Sequence, residues 1–195
     1  MEIGTEEFRY TSKLTITMHS LKYSPRIPIF GNKCIGVHYG TLEMHGIERP
    51  VTWTDLKTTV EAGATSITLN DVTGGKPLDW KVGEEIVIAS TDYSGRNAEQ
   101  RKITSITNTS TNPEITFDEP LLFKHYAGIQ YYGNSTPRDF IEMRAEVGLL
   151  TRNVKYQGEP VTSEANQYGA IIIMHSPADE STTARINNIE LFNVG

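Results

Sequence analysis

The sequence predicts an all-β protein of short strands, in which a parallel β-helix or a β-sandwich carries a smaller antiparallel unit. Three observations lead there. Three passages, KCIGVHYGTLEMHG (33–46), RAEVGLLTRNVKYQG (144–158) and ARINNIELFNVG (184–195), share one texture of short alternating strands broken by Gly or Asn and closed by Gly, as stacked coils are. Between the first two, four β-branched runs follow one another at hairpin spacing. No segment keeps a 3.6-residue apolar period, and Gly and Thr are frequent, so helix is scarce. The spacing of the three passages is irregular, and periodicity alone leaves the β-sandwich open.

Along the chain, the passage from Ser12 to Lys33 runs into the Pro-rich connection PRIPIFGNK before the first of the three passages. In TLEMH, residues Thr41, Glu43 and His45 share one face while Leu42 and Met44 point the other way. The intervening strands are expected at 65–69, 85–89, 102–107 and 114–117, separated by GG, NTSTN and DEP turns. They form a compact antiparallel subdomain or small barrel, with Trp53 and Trp80 in its core or junction. In WKVGEEIVIASTDYS (80–94), Gly83 precedes the apolar run Ile86 to Ala89, the length of a buried strand. In IEMRAEVGLLTRNV (141–154), Ile141, Met143, Ala145 and Val147 alternate with Glu142, Arg144 and Glu146, the pattern of a half-buried strand.

These last two segments resemble the signature of the G-eight domain, the glycine-patterned β module of fibrocystins and of the cell-migration-inducing and transmembrane hyaluronidase proteins. EMHGIERPVTWTDL (43–56) is similar to the family segment in which a rung ending in His-Gly leads to a Pro-Val-Thr-Trp turn and a side domain. SKLTITMHSLKYSPRIPIFGNK (12–33) is similar to the fibrocystin-type stretch before it. The resemblance implies a right-handed parallel β-helix with an inserted small antiparallel β subdomain. Residues 1–50 are then expected as coils, 51–125 as the insertion and 126–195 as further coils.

The 195 residues suffice for one domain carrying an insertion, and 37% apolar with 22% charged residues is a globular composition. No apolar run approaches the ~18 residues of a membrane helix. The N-terminus, MEIGTEEFRY, has acidic residues where a signal peptide carries a basic region, and the relatives implied by the resemblance are secreted or membrane-anchored. The expectation is therefore a piece of a longer polypeptide, with missing parts of that chain or neighbouring chains covering at least one end. Cys34 is the single cysteine, so no internal disulfide forms; it reads as a small buried hydrophobe or as the partner of a cysteine elsewhere. Asn108-Thr-Ser and Asn134-Ser-Thr are glycosylation acceptors in expected loops.

Charge is unevenly placed. The net charge is −6, yet Phe8 to Leu42 holds Arg9, Lys13, Lys22, Arg26 and Lys33 and no carboxylate. Lys13, Lys22, Arg26 and Lys33 are candidates for a polyanion such as a glycosaminoglycan-like polysaccharide. A solvated face is the plainer reading. With pI near 5.4 and no recognition motif, nucleic acid is excluded as a partner.

For chemistry, the face of Thr41, Glu43 and His45 and that of Glu142, Arg144 and Glu146 place carboxylates beside His or Arg, the groups an acid, a base and a charge-neutralising residue require. His45, Asp92, Arg144 and Glu146 are the candidate catalytic residues, and in an enzyme they converge on one groove. The bland readings are a turn histidine before Gly46, an Asx turn at Asp92 and an exposed ion-pair ladder. No Cys or His pair has zinc-site spacing, and Gly74-Gly75 lacks the Lys-Ser/Thr of a phosphate loop, so neither metal nor cofactor is expected. The resulting expectation is a non-catalytic extracellular adhesion or recognition module of a fibrocystin-like, glycosylated cell-surface protein, with the ciliary membrane as one setting. The alternative is a fragment of a hyaluronan-binding or hyaluronan-depolymerising enzyme.

Overall fold

The structure is a computed structural model, and it describes residues 1–70, 77–134 and 138–195. The expected turn at Gly74-Gly75 and the Ser135-Thr136 part of the second glycosylation signal lie outside the described residues. Among the described residues the protein is mostly β, with one short α-helix, and it divides into two compact units: residues 1–48 with 152–195, and residues 49–151 between them in sequence.

In chain order the first unit begins with β1 (Glu2–Ile3), β2 (Leu14–Met18), β3 (Cys34–Val37) and β4 (Thr41–His45). The second unit supplies β5 (Trp53–Asp55), β6 (Ser66–Thr68), β7 (Glu85–Ile88) and β8 (Glu99–Thr107). It continues with β9 (Glu114–Phe117), β10 (Ala127–Tyr132), β11 (Asp139–Arg144) and β12 (Glu146–Leu149). The chain then returns to the first unit through β13 (Val154–Gly158), α1 (Pro160–Asn166), β14 (Ile171–Met174), β15 (Thr183–Asn187) and β16 (Ile189–Phe192).

Every strand pair of the first unit is parallel. β13 lies between β2 and β16, β14 beside β3, and β4 between β1 and β15. Consecutive strands of one pass, β2, β3 and β4, thus meet consecutive strands of the next, β13, β14 and β15. Each pass contributes one strand to each of three small sheets. Leu42 and Met44 point into a core shared with Val37, Val154, Tyr156 and Ala170, so the expected facing of TLEMH holds for them. Tyr156 is fully buried, and its hydroxyl donates to the Ile171 carbonyl at 2.8 Å. Burial is the main reason that phenol is pushed up to about 12.

The close packing of the passes explains Gly46. A Cβ there would stand 2.1 Å from the Asn188 carbonyl oxygen and 2.8 Å from Asn153 Oδ1. Asn153 itself joins the passes, accepting from Ile47 N and donating to Tyr10 O and Ser12 O. The sequence pattern missed α1. Its signals are local: Pro160 at the first position and Glu159 at the cap, whose carboxylate accepts from Val161 N and Thr162 N.

The second unit is antiparallel. Six of its eight described strands form one sheet in the order β5-β12-β7-β8-β9-β6, and β10 and β11 pair separately. An antiparallel bridge between Leu56 and Leu69 joins the two outer strands, with Lys57 N donating to Thr68 O at 2.8 Å and Asn70 N to Asp55 O at 2.7 Å. The sheet therefore closes on itself, which removes its free edges. The interior holds Leu56, Ile67, Leu69, Ile86, Ile88, Ile103, Ile115, Phe117, Val147 and Leu149. Trp80 is buried among them and donates to Val51 O at 2.8 Å. Trp53, expected in the core or junction, is 58% exposed. Gly83 takes φ +90° in the turn before β7, a conformation that disfavours any side chain.

Two expectations are corrected here. Val147 is expected in a coil, but β12 is antiparallel to both β5 and β7, and residues 126–151 fall in the second unit and not with residues 152–195. A period of two is shared by parallel and antiparallel strands, so the alternation did not distinguish them. The same alternation does not belong to one half-buried strand: Ala145 and Val147 are buried, but Ile141 and Met143 lie in an exposed hairpin of β10 and β11.

Candidate functional site

The connection between β2 and β3, expected as a Pro-rich link, is a folded excursion of the first unit. Asn32 Nδ2 donates to Leu21 O at 3.1 Å and Ser24 O at 2.8 Å, and Ile27 and Gly31 exchange backbone hydrogen bonds. Tyr168 donates its hydroxyl to Asn32 Oδ1. Lys33 is buried at the base, with Nζ donating to Ser163 Oγ at 2.7 Å and Tyr168 O at 2.9 Å. The excursion is thus held at its base while Leu21, Lys22, Tyr23, Arg26, Ile27 and Ile29 face solvent, Tyr23 at 91% exposure.

Beside it opens a shallow groove of about 690 Å³ lined by His19, Ser20, Leu21, Ser24, Glu159, Val161 and Thr162. Glu159 faces it as an anion. The Thr162 hydroxyl, two backbone N–H groups and the nearby His19 hold its carboxyl below the usual range, outweighing desolvation. Of the four polyanion candidates, Lys13, Lys22 and Arg26 are exposed. Lys33 is turned inward and serves the base of the excursion instead. Asn108 is exposed in the turn after β8, with φ +54°, and Asn134 is exposed in a bend.

The catalytic candidates are largely occupied locally. His45 is buried in β4, its Nε2 2.7 Å from Glu43 Oε2, while Nδ1 is enclosed without a partner. The His45 hydrogen bond and Arg185, which also pairs with Glu43, hold the Glu43 carboxyl down against desolvation. Asp92 is held within its own loop, accepting from Tyr93 N at 2.7 Å and from Asn97 Nδ2 at 3.2 Å; the bond goes to the next residue and not two residues on, as the expected Asx turn requires. Arg144 Nε donates to Glu142 Oε1 at 2.5 Å and its Nη1 to Leu56 O and Lys57 O, which ties the hairpin to the strand that closes the barrel. None of these bonds runs to another of the four candidates. Glu146 is exposed in β12 opposite Asp55.

Asp55 is a residue that sequence reasoning missed. Burial first, then the charges of Glu142 and Glu146, push its carboxyl up against the pull of Arg144. Its register opposite Glu146 is set by the barrel, which no local pattern encodes. Among the described residues no group of three or more His, Cys, Asp or Glu is placed to hold a metal ion.

Residues 1–57 match the model of the G8 domain. The chain is 31% identical to fibrocystin-L of Mus musculus over an alignment of 228 residues, which takes in 100% of this chain and 5% of that protein. Residues 1–57 belong to the G8 domain family. A G8 domain-containing protein of Dictyostelium discoideum is 29% identical across 88% of this chain and 11% of its own length. Fibrocystin of Mus musculus is 29% identical across 81% of this chain and 4% of its own length. This chain spans about a twentieth of the length of the fibrocystin-L proteins it matches. The G8 match takes in β1 to β5 and the whole excursion. No helix of the described residues is long and apolar enough to cross a membrane.

Proposed function

We propose that this chain is a non-catalytic recognition module within the extracellular, β-helical part of a larger fibrocystin-like cell-surface protein, and that it binds an anionic glycosaminoglycan-like polysaccharide. In this reading residues 1–48 and 152–195 are coils of a right-handed parallel β-helix, and 49–151 is an insertion between two of them. The in-register parallel pairing of β2, β3 and β4 with β13, β14 and β15 supports the coils. The relatives support the larger context. A ciliary surface is the expected location for a fibrocystin-like protein, and Asn108 and Asn134 are its expected glycan attachment points.

The observation that carries the binding reading is the base-anchored excursion. It leaves Lys22, Tyr23 and Arg26 exposed on one connection, part of which lines an open groove. Cations meet carboxylate or sulfate groups of a polysaccharide, and a flat exposed ring meets the apolar face of a sugar. Binding of this kind weakens as salt rises. On a glycan array, binding should favour anionic polysaccharides and fall with Lys22→Ala, Arg26→Ala and Tyr23→Ala. Equal binding by the triple variant removes the reading.

A second reading, an enzyme fragment acting on hyaluronan, draws on the raised carboxyl of Asp55 beside Arg144 and Glu146. Its expected signature is depolymerisation lost with Asp55→Asn.

A further inference from the structure

We propose that His38 and His175 form a two-imidazole site for a divalent transition-metal ion, of copper or nickel chemistry. The pair is invisible in the sequence, where 137 residues separate them. The parallel pairing of β3 with β14 sets Val37 opposite Met174, so the next residue of each strand exit is a histidine on adjacent passes. His175 N donates to Val37 O at 2.9 Å, which fixes the two exits side by side.

The two Nδ1 atoms stand 3.0 Å apart. With metal–nitrogen bonds of ~2.05 Å, that separation corresponds to an N–metal–N angle of about 94°. This is the cis angle of a tetragonal or octahedral ion. A tetrahedral zinc site needs the nitrogens ~0.3 Å further apart. Both rings are exposed, which leaves the remaining coordination positions open to water or to a ligand from outside.

Ring placement is not left to solvent. The His38 ring packs on Tyr39 at 4.1 Å between centroids and meets His175 edge-on at 4.7 Å. Tyr39 N donates to Thr182 Oγ1 at 3.0 Å, which holds that corner. His38 Nδ1 also lies 3.0 Å from the His175 carbonyl oxygen. Without metal, one Nδ1–H is shared among these acceptors, and two protonated rings at this distance repel. Metal binding needs only that this proton sit on the far nitrogen, Nε2, which opens both Nδ1 lone pairs. Neither histidine touches Lys22, Tyr23 or Arg26 or the Asp55 cluster through any hydrogen bond or ring contact, and the ring of His38 meets the excursion only at Phe30, 6.5 Å between centroids.

The test is Cu²⁺ titration of the intact chain by calorimetry, with electron paramagnetic resonance of the one-equivalent sample. One equivalent should bind with hyperfine structure from two imidazole nitrogens. His38→Ala or His175→Ala should each weaken it about tenfold or more, because a chelate becomes a single contact. His19→Ala, which removes another exposed histidine, should leave it unchanged. His38→Asn and His175→Asn keep a polar side chain at the corner and serve if either alanine variant loses its circular dichroism. Wild-type affinity in the folded variants, or a spectrum with one imidazole nitrogen, overturns the proposal.

Discussion

Removing the Glu99 carboxylate should unfold the second unit far more readily than any surface change, because that group holds a buried charge network together. Glu99 is 4% exposed and His125 is fully buried. The carboxylate accepts from Leu122 N at 2.8 Å, Phe123 N at 2.9 Å and His125 Nε2 at 3.0 Å, and pairs with Arg101. His125 Nδ1 lies 2.9 Å from Ala89 O, so both ring nitrogens face acceptors. Glu99→Ala strands two backbone N–H groups and leaves the largely buried Arg101 guanidinium without its counter-charge. Breaking such a pair from one side costs about 3–5 kcal/mol. With a urea m-value of ~1–3 kcal/mol/M, the midpoint should fall by roughly 2 M. Both tryptophans lie in residues 49–151, and Trp80 is buried, so tryptophan fluorescence in urea reads this unit directly. Glu99→Gln keeps one acceptor oxygen and should lose less. Burial alone would raise the Glu99 carboxyl, but the N–H groups of Leu122, His125 and Phe123, with the Arg101 charge, bring it below the usual range. Its stabilisation is therefore full above the unfolded-state value of ~4.3 and fades as pH falls through the lower folded-state value. A Glu99→Ala midpoint within ~0.3 M of wild type, where a loss of roughly 2 M is expected, would refute the reasoning.

Gly46→Ala should destabilise the first unit by at least about 2 kcal/mol, since the new methyl meets the Asn188 carbonyl; chemical denaturation followed by circular dichroism checks it. Tyr156, with its phenol pushed up to about 12, should ionise last in an alkaline absorbance titration. Because that acid is weaker folded than unfolded, its share of stability is present below pH ~10 and is lost as pH rises towards the folded value, a dependence that Tyr156→Phe abolishes. Asp55→Asn should raise the urea midpoint of the second unit at pH 7, because it removes a carboxylate that burial and two like charges disfavour. A lowered midpoint argues against that environment.

The strands of the insertion were legible because their signals are local: β9 sits where EITF reads as a strand, and β7 where EIVI follows Gly83. Leu42 and Met44 declared their core face through alternation. What the sequence did not display is pairing. Val147 alternates with its neighbours in the same way whether its partner is parallel or antiparallel, and the closure of the barrel depends on Leu56 meeting Leu69. The site was half legible for the same reason. The charge asymmetry of Phe8 to Leu42 pointed to the excursion, yet nothing local showed that Lys33 turns inward to Ser163, 130 residues away. Asp55 and the His38–His175 pair owe their environments wholly to strand register.

The most direct test of the recognition reading is hyaluronan of defined length incubated with this chain, with binding measured by surface plasmon resonance and product length by electrophoresis. The account predicts salt-sensitive retention that falls with Lys22→Ala and Arg26→Ala, and an unchanged length distribution. Shortened hyaluronan, restored to full length by Asp55→Asn or Glu146→Gln in a folded chain, would contradict it.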